Sequence, residues 1–282
     1  MRNEIIRNPK ALVSKIIFLI VIIVLSLIFL SPFIVMLTTS FKTNADAFTI
    51  PVKVFPRQVI FSNYPEALAK IPYFRYMANT AFITVISIIA QLMVTPMVAY
   101  SISKIRWKGS AVISALLMAT MMIPYTVTMI PLYKIYSMLH LTNTYVPLIL
   151  PAFFGKAFYI IIMRQFFNGI PNSLMEAAKI DGANEAKRFL VIALPLCKPV
   201  MTTVAIFAFL DAWSDYLAPL IYINKPRMLT LSLGLQQYLN EYSVDWTRLM
   251  AAAAVFVLPV IIFFMIFQKN FVEGVATSGI KA

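Results

Sequence analysis

Three charged residues interrupt stretches of the sequence that are otherwise apolar. Asp211 and Asp215 are four residues apart and would share one face of a helix, and Lys156 lies in a separate apolar stretch. Trp213 lies between the two aspartates, off their common face. A charge inside a membrane helix costs about 2.5–3.5 kcal/mol on insertion scales, so charged side chains tend to face a cavity or a partner. These four residues are therefore candidates for the wall of a water-filled path.

The same residues also have a structural interpretation. Lys156 and Asp211 could form an ion pair between two helices, and Asp215 could lie near the outer membrane interface. The sequence alone leaves both interpretations open.

The elements that carry these residues must be membrane helices. Hydrophobic residues make up 61% of the 282 residues and charged residues only 12%. The mean hydropathy is +0.83. A soluble domain of this composition would expose apolar patches large enough to aggregate, so lipid is the solvent for most of the chain.

A membrane helix needs roughly 20 mostly apolar residues. The sequence predicts an all-α polytopic membrane protein with six transmembrane helices, which places both termini on one side. The six predicted spans are about 16–37, 79–102, 110–131, 145–163, 200–221 and 249–267.

Basic residues indicate the side on which each loop lies. The net charge is +13, and the basic residues cluster between the apolar stretches, where they act as topology signals rather than as a nucleic-acid site. They favour a cytoplasmic location for both termini and for loop 164–198, and an outer location for segment 38–75. The cytoplasmic group includes Arg2, Arg7, Lys10, Lys15, Lys104, Arg106, Lys108, Lys269 and Lys281.

Several chemistries lack the residues they require. Cys197 and His140 are the only cysteine and the only histidine, so an intrachain disulfide and a Cys/His metal site are excluded. The glycine-containing segment 274–279 does not continue into the Lys-Ser/Thr pair of a phosphate-binding loop. We therefore expect no catalytic residue, no metal and no cofactor in this chain.

The loop 164–198 carries the sharpest local pattern. Ser173 and Glu176 have the spacing of a capping box, which predicts a short helix to about Asp181. Gly182 then supplies a left-handed helix stop, and Asn184 can cap a second short helix. The pattern predicts a helix, a tight turn and a second helix.

This loop resembles the signature loop of permease subunits in binding-protein-dependent ABC importers. The family pattern is Glu-Ala-Ala, three residues, Gly, nine residues, Ile, one residue, Leu-Pro, and every specified position matches. The positions are Glu176, Ala177, Ala178, Gly182, Ile192, Leu194 and Pro195. Further similarity to the carbohydrate branch, in particular to the second permease of maltose-type importers, lies in 163–167, 213–220, 230–235 and 268–274.

The resemblance implies a type I ABC importer permease fold and a mechanism. Glu176, Ala177, Ala178, Asp181 and Gly182 would couple the chain to an ATP-binding subunit, with ATP and Mg held on that partner. The implied assembly has a second permease, two ATP-binding cassette subunits and an extracytoplasmic solute-binding protein in a bacterial cytoplasmic membrane. The implied organisation is an N-terminal part (1–72), a transmembrane core (73–267) and a cytoplasmic tail (268–282).

Three alternatives remain at the level of sequence. A self-contained secondary carrier would leave the helical loop unexplained, and paired halves are not evident. A membrane enzyme lacks a nucleophile or metal constellation. An importer of the same class could instead carry an anionic cargo, such as a sugar acid or glycerol phosphate, if Lys156 faces the path.

Overall fold

The computed structural model describes residues 9–51, 53–239 and 245–279, and within these ranges it describes side chains from residue 12 to residue 268. Arg2, Arg7 and Lys281 lie outside the described residues, as do the side chains of Lys10 and Lys269. The elements of the described part are helices, in agreement with the all-α prediction.

The longer helices follow the apolar stretches of the sequence. They are α1 (Pro9–Ser40), α2 (Asn63–Lys70), α3 (Tyr73–Lys104), α4 (Ser110–Met121), α5 (Tyr125–Met138), α6 (Ala157–Gly169), α7 (Asn172–Ile180), α8 (Lys198–Trp213) and α9 (Trp246–Gly279). Shorter helical segments are Asn44–Ala47, Val146–Ile149, Leu150–Phe154, Glu185–Lys187, Arg188–Ala193, Leu194–Leu196, Leu217–Tyr222, Pro226–Met228, Leu231–Gly234 and Leu235–Tyr238.

The number of spans depends on how two bent pairs of helices are counted. Among the described residues, four helical stretches are long and apolar enough to cross a membrane: Leu12–Ser40, α3, Val146–Gly169 and Trp246–Gln268. The count rises to six if each bent pair forms one span. The six predicted spans correspond to this upper count.

The bends correct two predicted spans. The third span is broken between α4 and α5, which meet at 102°. Pro124 is the N-cap residue of α5 and has an extended ψ of 140°, so the helical path is interrupted at this residue. The fifth span does not continue to residue 221, since α8 ends at Trp213 and a new helix begins at Leu217.

The chain divides into two compact units, one formed by 1–70 with 238–255 and the other by 71–237 with 256–282. In the second unit α3 is central and packs against α6 and α8. Small residues lie at its buried contacts, since Ala90 and Ala99 on α3 and Ala208 on α8 are at most 3% exposed. Small side chains let helix backbones approach closely, which is how helices associate where lipid removes the hydrophobic driving force.

Hydrogen bonds link α2 to other segments of the first unit. The side-chain amide of Asn63 donates to the carbonyls of Ser40 and Lys42, both at 2.8 Å. The hydroxyl of Tyr238 donates to the carbonyl of Ala67 at 2.6 Å. Because Asn63 is 6% exposed, this side chain replaces the water that would otherwise solvate the end of α1.

Ion pairs join α2 to the beginning of α9 in the same unit. The Lys70 ammonium lies 3.0 Å from Asp245, and the Arg248 guanidinium contacts both Asp245, at 2.7 Å, and Glu66. Burial raises the pKa of Asp245, but hydrogen bonds from Arg248 and Lys70 outweigh burial and leave this pKa below its ordinary value. Asp245 is therefore charged at neutral pH and anchors both cations.

Replacing Asn63 with alanine should destabilise the first unit. The carbonyls of Ser40 and Lys42 would lose their donor, at a cost of about 1–3 kcal/mol. We expect a midpoint of thermal unfolding several degrees lower, measured by size-exclusion chromatography of heated, detergent-solubilised protein. Gln58→Ala, at an exposed position of the same unit, is the matched control. Equal midpoints for the two variants would show that these hydrogen bonds contribute nothing to stability.

Candidate functional site

A cavity of about 370 Å³ with both apolar and polar wall residues lies in the second unit, between α3, α6 and α8. Its volume falls within the range of about 300–1,000 Å³ that is typical of ligand pockets. The polar part of its wall consists of Ser87, Gln91, Lys156, Tyr159, Asp211 and Asp215.

A glycine turn places Lys156 at the cavity wall. Gly155 has a φ of +76°, and a Cβ atom added there would lie 3.0 Å from Ile160. The turn therefore requires glycine both for its backbone conformation and for its close contact with α6. The chain re-enters a helix at Ala157, with Lys156 as the N-cap residue.

Gln91 connects this turn to the central helix. Its side-chain oxygen accepts a hydrogen bond from the backbone N–H of Lys156 at 3.2 Å and another from the Thr95 hydroxyl at 3.0 Å. Gln91 is 6% exposed, so both bonds form away from bulk water. Gln91 thus positions the turn that carries Lys156.

Asp211 lies at the centre of the cavity's polar network. The same carboxylate oxygen contacts the Lys156 ammonium and accepts a hydrogen bond from the Tyr159 hydroxyl. The Lys156 nitrogen also lies 5.2 Å from the centre of the Tyr159 ring. The side chains of Lys156 and Asp211 are each 52% exposed. The ion pair and the cavity wall, which were alternative interpretations of the sequence, are therefore both present.

Sequence reasoning missed Tyr159, although its position offered a signal. It lies three residues after Lys156 and thus on the same side of α6. An aromatic residue within one helical turn of a charged residue in a span is consistent with the arrangement that the structure shows.

Asp215 lines the same cavity, but it does not lie on the helix that carries Asp211. The sequence predicts that Asp211 and Asp215 share one helix face, but α8 ends at Trp213. Asp215 accepts a hydrogen bond from the backbone N–H of Ala218 at 3.2 Å, at the start of Leu217–Tyr222. A carboxylate that satisfies free N–H groups at a helix start stabilises the break, so the helix need not continue.

Trp213 lies in a packing contact between α8 and α9. It is 4% exposed, and its indole N–H donates to the carbonyl of Phe256 at 3.1 Å. Its ring stacks on Phe209 with the centroids 5.5 Å apart. Of the four predicted path residues, the structure brings Lys156, Asp211 and Asp215 together at the cavity and places Trp213 against α9.

The loop after α6 forms the predicted helix and turn. Gly182 has a φ of +79°, its N–H donates to the carbonyl of Lys179 at 3.1 Å, and Ala183 donates to Ala178 at 2.9 Å. This pair of bonds is a Schellman motif, in which a residue with positive φ closes the helix end. The spacing from Ala178 to Gly182 is thus the spacing that the motif demands.

The predicted capping box is wrong. Helix α7 begins at Asn172 with Pro171 at the N-cap position and no side-chain cap. Ser173 is therefore already inside the helix, because Pro171, with a φ of −57° and an extended ψ of 134°, occupies the N-cap position two residues earlier. The Lys104 ammonium donates a hydrogen bond to the side-chain oxygen of Asn172 at 3.0 Å. The other predicted cap is confirmed, since Asn184 accepts from the N–H of Lys187 at 2.9 Å.

Helix α7 has one buried face and one exposed face. Met175 and Ala178 are buried. Glu176 and Ala177 are exposed on the opposite face, as are Asp181 and Gly182 in the turn. Ile180 continues the exposed face and is 86% exposed, although the sequence did not single it out.

The described residues contain no group of three or more His, Cys, Asp or Glu side chains placed to hold a metal ion. Membrane-length helices with charged side chains that line a cavity are consistent with a helical membrane transport protein. The sequence profile described as "Binding-protein-dependent transport system inner membrane component" matches residues 93–277. The chain belongs to this family.

Individual relatives agree with the family assignment. The chain is 32% identical to a probable starch degradation products transport system permease, AmyC of Thermoanaerobacterium thermosulfurigenes, over 92% of this chain and 94% of the relative. It is 30% identical to the arabinooligosaccharides transport system permease AraQ of Bacillus subtilis, over 97% and 98% of the two chains.

A solved structure has the same fold. It is the crystal structure of a bacterial ABC transporter involved in the import of the acidic polysaccharide alginate, with a TM-score of 0.80 and 26% identity. The match covers 94% of this chain and 98% of that one. The type I ABC importer permease fold expected from the sequence is confirmed.

Replacing Gly182 with alanine should loosen the end of α7. Alanine pays about 1–2 kcal/mol in left-handed geometry, which corresponds to roughly 5- to 30-fold faster exchange of the amides that close the turn. Hydrogen exchange of peptides covering 175–185, measured by mass spectrometry, checks this. Gly169→Ala is the control, because Gly169 lacks a positive φ and has open space around it. Unchanged exchange in Gly182→Ala would contradict a strain-based role for this glycine.

Proposed function

We propose that this chain is a permease subunit of an ATP-driven importer for a sugar or oligosaccharide. Its membership of the binding-protein-dependent transport family supports the importer, and the cargoes named for AmyC and AraQ support the sugar. The observation that carries the proposal is helix α7, a short helix with one exposed face that ends in a Schellman motif. A secondary carrier that works alone does not require such an exposed helix.

In this proposal α7 transmits motion between subunits. Its buried face, at Met175 and Ala178, ties it to the membrane helices, while Glu176 and Ala177 face outward. The small Ala177 side chain allows another subunit to approach the helix closely, and Glu176 offers it a charge. Asp181 and Gly182 form the turn that keeps this surface rigid. We propose that α7 sits in a groove of an ATP-binding subunit, which holds the ATP and Mg.

The proposed assembly places two permeases side by side. This chain and a second permease would form the path, two ATP-binding cassette subunits would bind at the cytoplasmic face, and an extracytoplasmic solute-binding protein would deliver the cargo. Lys156, Asp211 and Asp215 are proposed to line this chain's half of the path. Trp213 is proposed to position α8, the helix that carries Asp211, through its hydrogen bond to α9.

The proposed organisation keeps the three segments suggested by the sequence. Segment 1–72 is the N-terminal part, 73–267 is the transmembrane core that contains the coupling loop 164–198, and 268–282 is the tail. Both termini and α7 are assigned to the cytoplasm of a bacterial cell, on the basis of the basic residues that flank the spans.

The assembly can be tested by purifying the tagged chain from its native membrane in mild detergent. Mass spectrometry should detect a second permease and an ATP-binding subunit. Glu176→Lys reverses an exposed charge on α7 and should remove the ATP-binding subunit while the second permease stays bound. Gln58→Lys, an exposed substitution on the segment assigned to the outer side, is the control and should retain both.

Two outcomes would refute the importer. The first is a chain purified alone that moves solute in liposomes without ATP, since that behaviour defines a secondary carrier. The second is retention of the ATP-binding subunit by Glu176→Lys, because a reversed charge on the docking helix should release it.

Cysteine labelling tests the orientation in the membrane. A membrane-impermeant thiol reagent added to intact spheroplasts should label Gln58→Cys at once and Asp181→Cys only after permeabilisation. The native Cys197 has 0% exposure and should not react, so the unaltered chain is the control. Labelling of Asp181→Cys in intact spheroplasts would invert the assigned topology.

A further inference from the structure

The charge of the cargo is decided neither by the family nor by the sequence. The relatives include permeases named for starch degradation products and arabinooligosaccharides, and the structural neighbour serves an acidic polysaccharide. A lysine in a translocation path would suit an anion, which is why the sequence leaves an anionic cargo open. The structure shows how that lysine is engaged.

Lys156 is the only cation among the described residues that line the cavity, and its charge is already compensated. Its ammonium contacts the carboxylate of Asp211 and lies over the ring of Tyr159, 5.2 Å from the centre. An anionic cargo would have to displace Asp211 in order to reach Lys156. The Asp211 carboxylate competes with any anionic cargo for Lys156, because it belongs to the same chain and is always present at the site.

The other charge in the wall is negative. Asp215 accepts a hydrogen bond from Ala218 through one carboxylate oxygen, and the wall otherwise consists of uncharged residues. The formal charge of the described wall is therefore negative, with one lysine opposed by two aspartates. An anion entering the cavity meets a like charge that no second cation in the described wall offsets, and repulsion between like charges weakens its binding.

The same wall is suited to hydroxyl groups. Carboxylates accept hydrogen bonds from hydroxyls, Lys156 donates them, and Ser87 and Gln91 add neutral polar groups. Apolar wall residues such as Leu148 and Pro151 can cover the C–H faces of a sugar ring. A neutral, hydroxyl-rich molecule can use all of these groups without breaking the contact between Lys156 and Asp211.

We infer that this chain's half of the path selects uncharged saccharides and rejects acidic ones, with Asp211 and Asp215 as the specificity-determining residues. This inference rests on the proposed importer function. Asp211 acts by neutralising Lys156, and Asp215 acts by keeping the wall negative. The binding preference is a property of the permease and is separate from any selection made by the solute-binding protein.

The test measures binding to the purified complex of this chain with its partner permease and ATP-binding subunits, without the solute-binding protein. The probes are maltotriose, arabinotriose and xylotriose, each with its reducing end converted either to the alditol or to the aldonic acid. The two forms are both open-chain at that end and differ only in a hydroxymethyl or a carboxylate group. Saturation-transfer NMR with competition gives their relative affinities.

We expect at least one alditol to bind, and its aldonic acid to bind roughly tenfold more weakly or worse. Asp211→Asn frees Lys156, and Asp215→Asn removes the second negative charge while keeping an oxygen that can accept from Ala218. Each substitution should reduce the ratio of alditol affinity to aldonic-acid affinity by roughly threefold or more. Asp46→Asn, outside the cavity wall, should leave the difference unchanged.

Equal or tighter binding of the acids to the unaltered complex would overturn the inference, and so would the absence of binding by every probe. An unchanged preference in both asparagine variants would remove Asp211 and Asp215 as its cause. Thermal melting of each variant complex confirms that folding is intact. The complex must assemble before any probe is added, so a failure of the importer proposal is seen in the purification and is distinguishable from a failure here.

Discussion

A charge within a bundle of apolar helices is stable only when a partner accompanies it, and the contact between Lys156 and Asp211 meets this requirement. The two residues are on α6 and α8, so the contact joins two helices that both pack on α3. Tyr159 adds a hydrogen bond to the same carboxylate. Both residues lie in the cavity wall, where an unpaired charge in the membrane would be unfavourable.

Breaks in the helices create the space that the charges line. The positive φ of Gly155 interrupts the helical path before α6, and α8 ends two residues before Asp215. Each break exposes backbone groups that need partners at membrane depth. Gln91 supplies one for the N–H of Lys156, and Asp215 supplies another for Ala218. The polar side chains of the cavity therefore stabilise the irregular backbone as well as line the cavity.

The two functional regions differ in how far they could be predicted. The turn at Gly182 follows from local rules, because a Schellman motif involves only residues within one turn of each other, and its glycine is visible in the sequence. The predicted start of α7 was wrong by two residues, because the capping box places the N-cap at Ser173 and the structure has Pro171 in that position. The position of Trp213, in contrast, depends on a distant part of the chain. Its type and position suggested the path, but its indole N–H found a carbonyl on α9, 43 residues away.

By itself the sequence determined that the chain is a bundle of membrane helices, where most of them run, and that one loop contains a short helix closed by glycine. Each of these depends on composition or on neighbours within a few residues, and such interactions are present in any fold. Only the tertiary structure decided that Lys156 pairs with Asp211, that Asp215 lies beyond the end of a helix and that Lys156 and Asp215 line one cavity. Those facts depend on which side chains face each other across α6 and α8, and Lys156 and Asp211 are 55 residues apart in sequence.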